Sequence, residues 1–114
     1  MSSQAQRSVL QMNPRPQYID QSTLVTLLSE EVAALDATAS AWWSDFAVKP
    51  FIVIHGESAH YVVAQQDCHI IFFADDEDEF GTGILTEDGE LDSYGLVGGL
   101  IDAIRNCRYR TGLV

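Results

Sequence analysis

The sequence predicts an α+β fold in which helices pack on one face of an antiparallel sheet. Three short runs rich in β-branched and aromatic residues, Phe51–Ile54, Tyr61–Ala64 and Ile70–Ala74, follow one another with brief polar interruptions. This pattern is typical of a buried antiparallel meander. Apolar residues at helical spacing precede and follow the runs. The predicted order is therefore an N-terminal helix, a meander of four to five strands, and a C-terminal helix, with the helices packed on one sheet face.

The chain length of 114 residues is typical of a single domain. Residues 1–19 are polar, contain two prolines and show no sustained period, so we expect a loosely ordered N-terminal arm followed by one α+β domain over residues 20–114. The N-terminus lacks the apolar segment of a secretion signal, and Cys68 and Cys107 do not make a disulfide framework. We therefore expect a cytoplasmic protein with reduced thiols.

The first helix is predicted to begin near Asp20. Asp20 or Ser22 is the expected N-cap, because a short side-chain oxygen accepts a free amide hydrogen of the first turn. The helix is expected to weaken near Asp36–Ser40 and to resume over Ala41–Phe46. Its apolar face consists of Leu24, Leu27, Leu28, Val32 and Leu35.

Five strands are predicted between the helices. The first strand is apolar on both alternating faces, which predicts a central position covered on both sides. The pair Asp88-Gly89 predicts a hairpin turn before a brief fifth strand. The predicted ranges are Phe51–His55, Ala59–Gln65, Cys68–Ala74, Phe80–Thr86 and Glu90–Ser93.

The C-terminal helix is predicted from apolar residues at a 3.6-residue period, with Asp92 or Ser93 as its N-cap. Gly95, Gly98 and Gly99 each lower its intrinsic helix stability by about 1 kcal/mol relative to alanine. These glycines indicate close packing on the sheet or a start further along the chain. The periodic residues are Leu96, Val97, Leu100, Ile101 and Ile104.

Charge is distributed unevenly along the chain. All 17 acidic residues lie between Asp20 and Asp102, and from residue 17 to residue 104 they face a single lysine, Lys49. A folded domain with this negative charge repels phosphate backbones and anionic membranes, so we expect no direct nucleic-acid or membrane partner. A basic protein is the expected partner, because complementary potentials steer encounter. The alternative interpretation is that the acidity serves solubility alone.

The densest charge is a run of five acids directly after the third strand. Folding alone gives no reason to gather like charges, so we predict a partner-binding site, with a solvated loop as the alternative. A tryptophan of the second helical stretch is a candidate hydrophobic anchor, because tryptophan is enriched at interface hot spots. The alternative is that these aromatic residues belong to the core and cover one end of the sheet. The predicted partner-binding residues are Asp75, Asp76, Glu77, Asp78, Glu79, Trp42 and Trp43.

Neither a metal site nor a cofactor is predicted. The segment from Asp76 to Glu87 matches part of a calcium-binding loop, but Phe80 occupies a ligand position. Cys68 and His69 are zinc-ligating residue types, yet as neighbours in a strand they point to opposite faces.

Catalysis is the weakest of the functional hypotheses. The segment His55–His60 holds a serine, a carboxylate and two histidines, but catalytic groups act through convergence in space rather than proximity in a turn. We expect a protein that is not an enzyme. A small hydrolase or transferase that uses His55, His60 or His69 is kept as the second alternative.

These expectations combine into a small binding protein with a basic protein partner. The most concrete version is an inhibitor or immunity protein that caps a toxin acting on nucleic acid, because an acidic surface mimics phosphate in a basic active site. In size, acidity and order of elements the chain also resembles bacterial type III secretion chaperones. That resemblance implies the first alternative, a homodimer that binds an effector.

Overall fold

The computed structural model of the chain describes residues 20–75 and 77–112. These residues form three helices and five strands, which confirms the predicted α+β fold. The prediction of a loose arm over residues 1–19 falls outside the described residues. The elements are, in chain order, α1 (Gln21–Ala33), α2 (Ala37–Phe46), β1 (Ala47–His55), β2 (Ser58–Gln66), β3 (His69–Ala74), β4 (Glu79–Leu85), β5 (Leu91–Gly98) and α3 (Leu100–Thr111).

The five strands form one sheet in sequence order, and each strand is antiparallel to the next. The predicted meander is therefore confirmed. Because successive strands reverse direction, the β1–β2 and β3–β4 turns lie at one end of the sheet, and the β2–β3 and β4–β5 turns lie at the other.

Side-chain caps set the starts of α1 and α2. Asp20 accepts a hydrogen bond from the Thr23 amide (2.8 Å), and Asp36 accepts one from the Ala39 amide (2.8 Å). These amide donors favour the charged carboxylates and lower the pKa of both aspartates. The predicted N-cap Asp20 is thus confirmed. The expected weakening near Asp36 is a break between two helices, because Asp36 caps the second one.

The helices pack on one face of the sheet and bury the main core with it. Leu24 and Leu28 come from α1, Trp42 from α2, and Ile104 and Cys107 from α3. The sheet supplies the opposing layer, and each of its central strands contributes buried residues. Those residues are Tyr61, Val63, Ala64, Ile71, Phe73 and Phe80.

The face without helices holds a second buried cluster, which the sequence analysis did not foresee. Strand residues alone build it, because the sheet curls until its two edge strands, β1 and β5, contact each other. A methyl group on Gly81 would lie 2.5 Å from Phe72 Cζ and 2.7 Å from the Gly95 carbonyl oxygen, so Gly81 permits this close packing. The cluster consists of Val53, Val62, Ile70, Phe72, Ala74 and Leu91.

The prediction that the first strand is central is wrong. β1 lies at the edge of the sheet, and its Ile52 and Ile54 side chains are 42% and 54% exposed. The whole run is apolar, as in a buried strand. In the structure Val53 is buried in the second cluster, whereas its neighbours in the strand remain at the surface.

The predicted fifth strand is too short, and the predicted start of the C-terminal helix is wrong. β5 continues to Gly98, and α3 starts at Leu100 with Gly99 as its N-cap instead of Asp92 or Ser93. Gly95 and Gly98 have φ values of 122° and 109°, which a helix does not contain. The glycines therefore serve an irregular strand with two register shifts against β4.

Candidate functional site

The β1–β2 and β3–β4 turns bring acidic residues from two parts of the chain to one end of the sheet. Three of their carboxylate side chains are exposed and two are half-buried. The β3–β4 turn accounts for most of the predicted acidic run. We call this group the acidic end, and its described members are Glu57, Asp75, Glu77, Asp78 and Glu79.

Backbone hydrogen bonds hold the β3–β4 turn. The Glu77 amide donates to the Ala74 carbonyl (3.1 Å), and the Asp78 amide donates to the Asp75 carbonyl (3.3 Å). Asp78 has a φ of 56°, in the left-handed region that aspartate and asparagine tolerate better than most residues. The described carboxylates of the turn take no part in these two hydrogen bonds. Asp76, the remaining acid of the run, lies outside the described residues.

Four acids elsewhere in the fold have structural partners. Asp102 Oδ2 accepts a hydrogen bond from the Gly99 amide (3.1 Å), and Glu31 Oε1 accepts one from the Leu100 amide (3.0 Å). These two carboxylates and the two N-cap aspartates satisfy helix N-termini. Within residues 20–75 and 77–112 no carboxylate of the acidic end makes a hydrogen bond or an ion pair, and the same holds for the acids at the opposite end of the sheet.

Two of the three arginines of α3 lie in the last turn of the helix. α3 starts beside this end, where β5 finishes, and its last turn carries Arg108 and Arg110 toward the other end. Arg110 lies 3.8 Å above the Tyr94 ring, and Arg105 forms an exposed ion pair with Asp36 (3.5 Å).

The opposite end of the sheet is also acidic. The β2–β3 turn carries Asp67, and the β4–β5 turn carries Glu87, Asp88 and Glu90, all exposed. The acids are therefore divided between the two ends of the sheet.

A cavity of about 180 Å³ opens on the face without helices, next to the acidic end. Its interior is mixed, with hydroxyl and imidazole groups beside an apolar floor. Glu77 is the carboxylate in its lining, so the cavity and the acidic end share this residue. The lining residues are His55, Ser58, His60, Phe72, Ala74, Glu77, Ser93 and Leu96.

Two of the three predicted histidines meet in this cavity. His60 is 6% exposed and stacks on Phe72 with ring centroids 5.1 Å apart, and the His55 ring lies 5.9 Å from the His60 ring. Ser58 joins them in the lining, whereas Glu57, the carboxylate of the polar segment singled out in the sequence, is not one of the lining residues. His69 starts β3 and lies at the opposite end of that strand.

The sequence analysis missed the contribution of β5 to the cavity. Ser93 and Leu96 line it, yet Ser93 was assigned as a helix N-cap and Leu96 as a residue of that helix. The spacing of Gly95 and Gly98 is the signal that indicates an irregular strand here.

The two tryptophans lie on the helical side of the sheet. Trp42 is 5% exposed, and its ring centroid is 4.9 Å from that of Phe46, so Trp42 is a core residue. Trp43 is half-buried and packs against the same core. The core interpretation of these aromatic residues therefore fits Trp42, and of the pair Trp43 has the larger exposed surface.

The described residues contain no group of three or more histidine, cysteine, aspartate or glutamate side chains arranged to hold a metal ion. Across the same residues, none of the helices has the length and apolar character needed to cross a membrane.

Comparisons with known proteins identify no relative. No protein-family model matches the chain, and neither curated protein sequences nor solved structures give a significant match.

Proposed function

We propose that this chain is a small non-enzymatic binding protein that engages a basic protein partner through the acidic end. The observation that carries the proposal is the gathering of five described carboxylates at one end of the sheet, none of which makes a hydrogen bond or an ion pair within residues 20–75 and 77–112. Gathered like charges repel one another, and a cationic partner relieves that repulsion.

The most concrete form of the proposal is an inhibitor or immunity protein. An enzyme that acts on nucleic acid has a basic active site, because its substrate is anionic. A compact turn with several carboxylates fits such a site as a mimic of the phosphate backbone. The backbone hydrogen bonds of the β3–β4 turn favour tight binding, because little conformational freedom is lost when the partner arrives.

A secretion chaperone is the second candidate, and a different observation favours it. β1 is an edge strand that exposes Ile52 and Ile54, and an exposed apolar edge is suited to pairing with an extended client segment or a second copy. In that case binding would persist at high salt, because apolar contacts and backbone hydrogen bonds would carry it.

Selection from a displayed library of protein fragments tests the proposal. Three baits are compared: the wild-type chain, a variant with Asp75–Glu79 changed to the corresponding amides, and a control with Glu87→Gln, Asp88→Asn and Glu90→Gln at the opposite end. We expect the wild type and the control to recover fragments enriched in arginine and lysine, and the first variant to lose them.

Two outcomes would contradict the proposal. Fragments without basic enrichment would favour the apolar edge of β1 instead. Equal loss with both variants would show that overall negative charge, rather than the acidic end, attracts the fragments. Asparagine at position 78 preserves the left-handed turn, so misfolding is not the expected cause of lost binding.

A further inference from the structure

The cavity beside the acidic end has the size of a side chain rather than of a typical small-molecule ligand. Its volume of about 180 Å³ is below the roughly 300–1,000 Å³ of most small-molecule pockets. Its walls are fixed, because Phe72 and Ala74 belong to the buried second cluster and His60 is stacked on Phe72. A single residue of a partner protein is therefore its natural occupant.

We propose that the cavity receives one arginine side chain of the basic partner. The inference rests on the proposed function and names the contact at which the partner is anchored. Arginine is enriched at interface hot spots, which fill well-packed pockets near the centre of an interface.

The negative charge around the cavity favours a cation as its occupant. Glu77 lines the cavity and belongs to the acidic end, where no described carboxylate has a hydrogen-bonding or ionic partner. An anionic group would meet repulsion from these acids, whereas a cation gains from them.

The shape and chemistry of the lining favour arginine over lysine. A guanidinium group stacks on aromatic rings and donates several hydrogen bonds in its plane, while an ammonium group is compact and strongly hydrated. The cavity offers the exposed ring of His55 for stacking, and it offers Ser93 and Glu77 as acceptors. Leu96 covers the aliphatic stem at the mouth.

A titration monitored by nuclear magnetic resonance tests the inference with small probes. N-acetyl-arginine methylamide represents the side chain of a protein, and the citrulline analogue is its neutral match. We expect the arginine probe to shift the backbone amide signals of Ser58 and Leu96, and the citrulline probe to leave them unchanged. N-acetyl-arginine, whose carboxylate is free and whose amine is blocked, should bind more weakly than the methylamide, because the acidic end repels that carboxylate.

Variants separate the cavity from the surrounding charge. Glu77→Gln should weaken binding of the arginine probe about two- to fivefold, the range expected for an exposed ion pair. Glu87→Gln, at the opposite end, should have no effect. Leu96→Trp closes the mouth without changing the charge, so it should abolish binding of the probe while a hepta-arginine peptide still binds.

Comparison of hepta-arginine with the arginine probe also distinguishes failure of this inference from failure of the proposed function. If hepta-arginine binds at the acidic end and the arginine probe leaves the cavity signals unchanged, the cavity is not the anchor and the proposed function stands. If neither binds, both fail. Equal shifts from the citrulline probe, or tighter binding of N-acetyl-arginine than of the methylamide, would also overturn the inference.

Discussion

At the scale of single residues, two side chains of the same type have different chemical properties when their environments differ. The two cysteines are an example: Cys68 is exposed, whereas Cys107 is 2% exposed within the main core. Burial raises the pKa of the Cys107 thiol from 9.0 to about 11, although nearby Arg110 acts in the opposite direction. The neutral thiol is therefore the form that the folded protein favours.

Thiol labelling with iodoacetamide at pH 8 checks this difference. We expect one modified thiol in the native protein, Cys68, and a second in denaturant, because the thiolate is the reactive form and Cys107 is protonated and inaccessible. The stabilisation from the protonated Cys107 is complete below pH 9 and decreases as the pH rises toward about 11. Native labelling of a Cys68→Ser variant would contradict the account.

At the scale of elements, hydrogen bonds join α3 to the sheet. Thr82 Oγ1 on β4 donates to Asn106 Oδ1 (2.7 Å), and Arg110 Nε donates to the same oxygen (3.0 Å). The Arg110 guanidinium also covers the Tyr94 ring of β5. Because Thr82 is 2% exposed, its hydroxyl depends on Asn106 for an acceptor.

A double-mutant cycle measures this connection. Asn106→Ala should lower the free energy of unfolding by about 1–3 kcal/mol, because it leaves a buried hydroxyl without an acceptor. Thr82→Val removes the hydroxyl at nearly the same volume, so the second substitution should cost less in the Asn106→Ala background than alone. Denaturant titration gives the four energies. Strict additivity would show that the hydrogen bond contributes nothing.

The elements were predictable where one local signal dominated. The apolar runs placed the first three strands, and Asp20 marked the first helix because its capping chemistry is local. The position of β1 was not predictable from its own residues. β1 is an edge strand, but it has the apolar composition of a central strand, and its Val53 is buried in the second cluster. The glycines of β5 were misassigned because period-based reasoning gives no weight to φ.

At the scale of the whole molecule, the curl of the sheet creates a buried cluster and a cavity that the sequence could not indicate. It buries a second cluster without helices and brings the histidines of β1 and β2 to Ser93 and Leu96 on β5. These groups are far apart in sequence, and no pattern in any one strand places them together. The acidic run was visible as a feature, whereas the cavity beside it depends on tertiary structure.

Charge is arranged unequally over the molecule. Both ends of the sheet carry exposed acids, and α3 runs from the acidic end toward the opposite one, with Arg108 and Arg110 in its last turn. A field of this kind steers a cationic protein toward one end and weakens as salt screens it, with a Debye length of about 8 Å at physiological ionic strength.

The association rate with a basic binding partner, measured by stopped flow over a range of salt concentrations, tests the central claim most directly. We expect the rate for the wild type to fall steeply as salt rises, because steering by exposed charge is screened. Changing Asp75–Glu79 to amides should remove most of that dependence with little change in melting temperature, whereas the three substitutions at the opposite end should leave it nearly intact. An association rate that is the same for the wild type and the Asp75–Glu79 variant at every salt concentration would contradict the account.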